Sequence, residues 1–163
     1  MKHSIPDLKN MLSYDALNGL FTWKKNNKIA GSVDKKGYII IQVDGKNYRA
    51  HRLALAFVNN MFPEKEVDHI NQIVSDNKLS NLREVDAQTN SRNSTLYSSN
   101  KSGCVGVYFN KKTSRWVANI MVDYKQIGLG AFVEFHEAVN ARKNAEEFYG
   151  FHNNHGLSKQ ERK

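Results

Sequence analysis

A strand, a long polar loop, a second strand and a helix follow one another in the middle of the chain, and this succession constrains the fold most. The apolar residues of the two short runs are flanked by polar ones, and the intervening segment is almost entirely polar. The predicted elements are a strand at 67–70, a loop at 71–81, a strand at 82–85, and a helix from an Asp86 N-cap to about Tyr97. We therefore predict a ββα unit over residues 67–97.

A β-rich segment precedes this unit. Residues 20–23, 38–43 and 46–50 are predicted strands, and Asp44-Gly45 is a strong hairpin signal because both turn positions require a positive φ. Helical spacing of the apolar residues then predicts a helix over 51–61, which Pro63 ends.

The β pattern begins again in the C-terminal part of the chain. Strands are predicted at 105–110, 115–122 and 125–132, followed by a helix over 134–149 whose buried stripe is Ala138, Ala141, Ala145 and Phe148. The small polar residues 98–103 are the best linker candidate. The expected domains are a β-rich leader with the ββα unit at 1–98, a linker at 99–103, a second domain at 104–150 and a polar tail at 151–163. The fold class is α+β, with an N-terminal β-hairpin segment and a C-terminal three-stranded sheet packed on one helix.

Composition limits the partners and the compartment. The net charge is +8, and the basic excess is shared by both halves, which favours a long polyanion as partner although solubility alone would also explain it. Cys104 is the single cysteine, so no intrachain disulfide and no structural zinc are expected. The N-terminus lacks the apolar core of a signal peptide and the apolar runs are short, so we expect a soluble, cytoplasmic protein without a membrane partner.

The polar residues of the ββα unit suit metal-assisted hydrolysis. A carboxylate from Asp68 and an amide oxygen from Asn90 are hard ligands for one Mg²⁺ or Mn²⁺. His69 points away from Asp68 because neighbouring strand residues alternate, so it is a candidate general base. The competing interpretation is an ordinary ion pair, with Asn77, and in part Asn81, acting as turn or cap formers.

Three stretches, AHRLALAF, EVDHINQIVSDNKLSNLREV and TNSRN, resemble the phage HNH homing-type endonucleases over roughly residues 50–95. The resemblance implies a ββα-metal nuclease unit in which His69 is the general base and Asp68 a metal ligand. Asn81 corresponds to the middle asparagine, which holds the loop that orients the base. Asn90 corresponds to the last metal ligand, but Asn93, three residues later, competes for that place. Many relatives have glycine where Gln72 stands, so the loop is expected to differ in shape.

His51 and Arg52, at the start of the predicted helix, either reach phosphate or the metal, or simply cap and pack that helix. The residues alone leave these two alternatives open.

Residues 103–149 resemble the APETALA-type (ethylene-response-factor) DNA-binding domain. The likeness is carried by Arg115-Trp116, the run GLGAF at 128–132 and the alanine-rich helix. It implies that the sheet lies in the DNA major groove. The candidate contact residues are Lys111, Lys112, Arg115, Trp116 and Lys125. Trp116 alternates with Ala118 and Ile120, so a place in the core is an equal alternative.

The sequence thus predicts a metal-dependent endonuclease acting on double-stranded DNA, by nicking or by double-strand cleavage, as a monomer or homodimer. If it is phage-encoded, it would act in the host cytoplasm. A non-catalytic DNA-binding regulator is the main alternative, and an RNA-directed nuclease is a weaker one.

Overall fold

The computed structural model describes residues 3–94, 96–97 and 99–157, so the last part of the predicted tail lies outside the described residues. By its internal contacts the chain forms two compact units, Met1–Ala87 and Gln88–Lys163. The second unit begins before the predicted linker at 99–103. The predicted domain limits themselves stay a prediction, and each unit is described separately below.

The first unit opens with a helix and a β-hairpin. Helix α1 (Ile5–Met11) begins at a capping box in which the Ser4 and Asp7 side chains satisfy each other's backbone N–H groups. Strands β1 (Leu12–Asp15) and β2 (Leu20–Trp23) pair in antiparallel fashion. The prediction of β2 is confirmed, whereas α1 and β1 were not predicted because such short elements show too few periods to be recognised.

A three-stranded antiparallel sheet follows, formed by β3 (Ser32–Val33), β4 (Ile39–Val43) and β5 (Lys46–Arg49). The β4–β5 hairpin is confirmed, since Asp44 and Gly45 have φ values of 46° and 76°. The two-residue β3 was not predicted.

Helix α2 (Ala50–Asn59) crosses the core of the first unit. The predicted helix is confirmed to within two residues, and it ends before Met61 because Asn60 adopts the left-handed conformation, with φ 55°. The side chains that α2 buries include Leu53, Ala54 and Phe57. They join a core supplied by the earlier elements: Leu8, Leu12, Phe21, Ile41 and Val43.

Strands β6 (Glu66–His69) and β7 (Leu82–Val85) form a two-stranded antiparallel sheet, and both are confirmed. The register places Asp68 opposite Arg83 and His69 opposite Leu82. The connecting loop is irregular except for a 3-10 turn at Leu79–Asn81.

The second unit begins with α3 (Ala87–Arg92), and the predicted extension of this helix to Tyr97 is wrong. The backbone beyond it makes bonds elsewhere. The Arg92 carbonyl accepts from the His152 N–H, and the Ser94 carbonyl accepts from the Gly156 N–H. These bonds to the segment after the last helix replace the bonds that a longer α3 would form.

Strands β8 (Val107–Asn110), β9 (Arg115–Val122) and β10 (Lys125–Phe132) form an antiparallel sheet in the order β10-β9-β8, and α4 (Phe135–Phe148) packs on it. These predictions are confirmed to within two residues at each boundary.

The predicted stripe of α4 is only partly right. Ala138 and Ala145 are buried and Ala141 is half-buried, but Phe148 is 80% exposed. Arg142 and Glu146 are buried instead, because the Arg142 Nε donates to the Glu146 carboxylate at 2.9 Å and Nη1 donates to the Asn119 carbonyl at 2.7 Å. A charged pair that satisfies its own hydrogen bonds therefore occupies positions where an apolar stripe was expected. In the part of the chain that the structure describes, no helix has the length and apolarity needed to cross a membrane.

Candidate active site

Asp68 and His69 point to opposite sides of the β6–β7 sheet, as alternation predicts. The Asp68 carboxylate meets Arg83 on the paired strand, with 2.8 Å between Oδ2 and Nη2. His69 meets residues of α2 and of the loop instead. The two side chains are therefore separated by the strand itself, so each can serve a different chemical role.

The imidazole of His69 is fixed on several sides. The Nε2 atom donates to the Asn77 Oδ1 at 3.2 Å, since an amide oxygen can only accept. The ring lies 5.0 Å from the His51 ring and 6.1 Å from the Tyr38 ring, measured between centroids. Burial lowers the pKa of His69, although the Asn77 hydrogen bond and Asp68 oppose this. The lowered pKa favours the neutral imidazole, which is the form that a general base requires.

His51 is a buried neighbour of His69 and lies within the packed interior. Desolvation, followed by the proximity of His69, lowers the pKa of His51 to about 3, so the ring is uncharged at neutral pH. Its Nδ1 has no hydrogen-bond partner among the described residues. The packing alternative for His51 therefore agrees with the structure better than a contact with phosphate does.

Arg52 has a structural role as well. Its guanidinium donates to the backbone carbonyl groups of Lys65 and Pro63, the former at 2.7 Å. These bonds fasten α2 to the segment that leads into β6. These bonds agree with the packing alternative for Arg52, and its phosphate contact stays a prediction.

Asn81 forms hydrogen bonds with both ends of the loop between β6 and β7. Its Oδ1 accepts from the Asn71 N–H at 2.9 Å, and its Nδ2 donates to the Asp76 carbonyl at 2.8 Å. Its own carbonyl accepts from the Ile70 N–H at 2.9 Å. One buried side chain thus connects the beginning of the loop with its end, next to His69.

Asn77 is a residue whose part in the site the sequence did not reveal, because turn-forming asparagines are common in such loops. It is buried, and it contacts His69 through its side chain. The N-terminal hairpin supports its backbone. The Tyr14 hydroxyl donates to the Asn77 carbonyl at 2.7 Å, and Gly19 lies so close that a Cβ there would come within 2.4 Å of the Asn77 carbonyl carbon.

Gln72 adopts the left-handed conformation in this loop, with φ 61°. This region of backbone space is one that glycine occupies without strain and other residues occupy at a cost. Gln72 therefore stands at a position that suits glycine, and the expected difference in loop shape stays a prediction.

Asn90 and Asn93 lie on and just after α3, in the second unit. The Asn93 N–H donates to the Asn90 carbonyl at 3.1 Å, and Asn93 is buried. Their roles as metal ligands stay predictions, and so does the choice between them.

The carboxylate of Asp68 is the candidate anionic donor for a cation in this segment, while Asp76 also acts electrostatically on His69. Among the described residues, no three His, Cys, Asp or Glu side chains come together as a metal-binding group. The donor set fits a Mg²⁺ or Mn²⁺ that takes a carboxylate from the protein and further oxygens from amides, water and a phosphate group. It does not fit an ion enclosed by protein side chains.

The candidate DNA-binding residues of the second unit differ in their burial. Lys111, Lys112, Arg115 and Lys125 are exposed. Trp116 instead packs with Phe135 of α4, at 4.6 Å between ring centroids, and belongs to the cluster around Ala118 and Ala138. The core alternative for Trp116 is therefore the one that the structure favours. The exposed face carries Arg115, and Tyr108 is paired there with Val117.

Comparisons with known proteins relate part of the first unit and the start of the second to HNH endonucleases. Residues 48–92 match the family model described as HNH endonuclease, and we refer to these residues as the HNH segment. No curated protein matches the chain. A solved structure, described as "DNA binding and cleavage by the HNH homing endonuclease I-HmuI", matches with 25% identity and a TM-score of 0.45. The match covers 57% of this chain and 57% of that one, so the chain spans little more than half of that protein.

Proposed function

We propose that this protein is a metal-dependent endonuclease that hydrolyses phosphodiester bonds of double-stranded DNA, and that it is of the phage homing type. The observation that carries the proposal is the arrangement inside the HNH segment. The imidazole of His69 is held neutral and oriented by Asn77, and the carboxylate of Asp68 lies on the other side of the same strand. A base and an anionic ligand fixed by one strand are what metal-assisted phosphodiester hydrolysis requires.

In this proposal His69 takes a proton from the attacking water. With the Asn77 oxygen at Nε2, the neutral ring carries its proton on Nε2, and Nδ1 is the basic nitrogen. Rotation of the Asn77 amide would exchange these roles, so Asn77 governs which nitrogen accepts the proton. Asn81 contributes by holding the loop that contains Asn77.

Asp68 is the proposed protein anchor for the divalent ion, and Asn90, with Asn93 as the alternative, is the proposed amide ligand. When bound, Mg²⁺ or Mn²⁺ offsets the charge that develops on the phosphate and on the leaving oxygen. The Asp68 carboxylate supplies a negative charge at a buried position, where solvent screens it little but the Arg83 guanidinium offsets part of it.

We further propose that the second unit is a DNA-binding module of the APETALA type. A three-stranded sheet with one helix-covered face and one exposed face can place the exposed face in a groove. Arg115 lies on that face, and Lys111, Lys112 and Lys125 lie near its ends, where they would meet phosphates. Trp116 is assigned to the core of this module.

A non-catalytic regulator remains the competing function, and an RNA-directed nuclease the third. A regulator needs the basic surface of the second unit but not the Asn77–His69 hydrogen bond. A monomer with one site would nick, and cleavage of both strands would require a dimer or two successive cuts.

A supercoiled plasmid incubated with Mg²⁺ or Mn²⁺ tests the proposal. Wild type should convert it to nicked or linear DNA, and EDTA should stop the reaction. His69→Ala should lose cleavage and keep DNA binding. His136→Ala is the matched control, since His136 is an exposed histidine of α4, and it should behave as wild type.

Equal cleavage by His69→Ala, or undiminished cleavage in EDTA, would contradict the proposal. Competition with duplex RNA distinguishes the RNA-directed alternative. Binding without cleavage by wild type supports the regulator.

A further inference from the structure

Arg83 lies against Asp68 with part of its guanidinium uncommitted. Its Nε and Nη2 both donate to the Asp68 Oδ2, at 3.1 and 2.8 Å. The remaining nitrogen, Nη1, has no hydrogen-bond partner among the described residues. The Arg83 side chain is 31% exposed, whereas the Asp68 side chain is 9% exposed. The arginine therefore extends from a buried carboxylate to the surface.

The geometry of this pair differs from the pairing that arginine and carboxylate usually prefer. In the bidentate arrangement, two guanidinium nitrogens meet two carboxylate oxygens. Here two nitrogens meet one oxygen, so Arg83 engages Oδ2 and makes no bond to Oδ1. The edge formed by Nη1 and Nη2 keeps donors that this pair does not use, and such an edge matches two oxygens of a phosphate group.

We propose that Arg83 binds a phosphodiester group of the DNA strand that is cut, at or next to the cut bond, through this edge. Arg83 is then a catalytic residue, since it contacts the substrate. Nε keeps its bond to Asp68, so the carboxylate orients the guanidinium toward the phosphate. The inference rests on the proposed function, because it assumes that Asp68 and His69 border the cleavage site.

Other arginines of the first unit are less suited to this role. Arg52 donates to two backbone carbonyl groups. Arg49 is exposed and lies over the Tyr38 ring, 4.8 Å from its centroid. Arg83 combines a fixed position beside the candidate metal ligand with an unused donor edge. Fixed donors aimed at a phosphate stabilise the charge that grows there in the transition state without any cost of reorganisation.

The test compares Arg83→Lys and Arg83→Met with Lys28→Met, which removes one exposed positive charge of the first unit. Arg83→Lys loses the planar guanidinium group but keeps a positive charge beside Asp68. It should therefore fold even if Arg83→Met does not. The cut bond is first located with wild type. Single-turnover cleavage is then measured at saturating DNA and over a range of Mg²⁺ concentrations.

A second measurement does not depend on cleavage. Binding is measured in EDTA to duplexes that carry one neutral methylphosphonate, placed in turn at each position around the cut. Wild type should lose about 10-fold in affinity at one position next to the cut, a typical loss for one charged contact. The Arg83 variants should show no further loss at that position, because the contact is already missing. Lys28→Met should reproduce the wild-type profile.

The expected result for cleavage is a decrease of about 100-fold for Arg83→Met and about 10-fold or more for Arg83→Lys, the scale seen when one donor to a transition-state oxyanion is removed. Three outcomes would overturn the inference: unchanged cleavage by both variants, full recovery at high Mg²⁺, or a wild-type methylphosphonate profile in the Arg83 variants. Recovery at high Mg²⁺ would mean that Arg83 acts only by orienting Asp68 for the metal. If wild type and Lys28→Met also fail to cut, the proposed function itself fails, and the inference fails with it.

Discussion

The side-chain oxygen of Asn77 lies 3.2 Å from Nε2 of His69, although the two residues belong to different parts of the loop-and-strand segment. The hydrogen bond orients the imidazole and selects its tautomer. Tyr14 and Gly19 of the N-terminal hairpin support the Asn77 backbone from the opposite direction. The hairpin thus contributes to the candidate active site by holding the loop in place.

Asn77→Ala should lower cleavage by about 10- to 100-fold and leave DNA affinity nearly unchanged, because the orientation of His69 is lost while the basic surface is intact. Single-turnover rates and a gel-shift assay measure the two effects. Asn47→Ala, which changes an exposed asparagine of β5, is the control. Normal cleavage by Asn77→Ala would exclude Asn77 as a positioning residue.

Gly19→Ala should destabilise the first unit by about 2 kcal/mol or more. The residue has φ 71°, where a Cβ costs about 1–2 kcal/mol, and this Cβ would also clash with backbone atoms of Asn77 and Lys78. Gly45→Ala is a matched control, since Gly45 has φ 76° but no atom within 4 Å of the added Cβ. Urea unfolding measures both variants. Equal losses for the two would show that the close approach to Asn77 has no energetic effect.

The stability of the first unit should fall as the pH drops below about 6.5. The folded-state pKa of His51 is about 3, whereas an unfolded histidine titrates near 6.5. Between these values the unfolded chain binds more protons, so the free energy of unfolding decreases toward acid pH by up to about 1.4 kcal/mol per pH unit for this group. His51→Phe should flatten the dependence measured by urea unfolding between pH 7 and pH 4, with the remainder due to His69, whose pKa is also lowered. An unaltered slope in His51→Phe would rule out His51 as the source.

Glu146→Ala should destabilise the second unit by about 3 kcal/mol, because it leaves the buried Arg142 without its carboxylate. The exposed Glu147 provides the control variant, Glu147→Ala. The double variant Arg142→Met, Glu146→Leu should recover much of the lost stability, since it removes both charges. Thermal unfolding followed by circular dichroism measures all three, and a loss below about 0.5 kcal/mol for Glu146→Ala would be inconsistent with a buried pair.

Arg115→Ala should weaken DNA binding by about 10-fold without changing the melting temperature, because Arg115 is exposed and would contact phosphate. Trp116→Ala should lower the melting temperature, because Trp116 packs on Phe135. Trp116→Phe separates the two roles, since it preserves much of the packing. If Trp116→Phe greatly weakened DNA binding without changing the melting temperature, Trp116 would have to contact DNA.

Patterns between near neighbours in the chain determined much of this protein. The alternation around Asp68 and His69, the Asp44-Gly45 turn and the three strands of the second unit were all predictable, because each depends on residues close together in sequence. The same patterns, together with the resemblance to HNH endonucleases, led to the HNH segment that the family match reports.

Tertiary structure decided which side chains meet. Nothing local distinguishes Asn77 from other loop asparagines, and its role follows only from its contact with His69. Arg52 donates to the carbonyl groups of Lys65 and Pro63, and Trp116 packs on Phe135. The residue types alone do not reveal these partners. Helix α3 ends at Arg92 because a distant segment takes its hydrogen bonds. Burial and partner choice arise from residues far apart in the chain, so local periodicity cannot determine them.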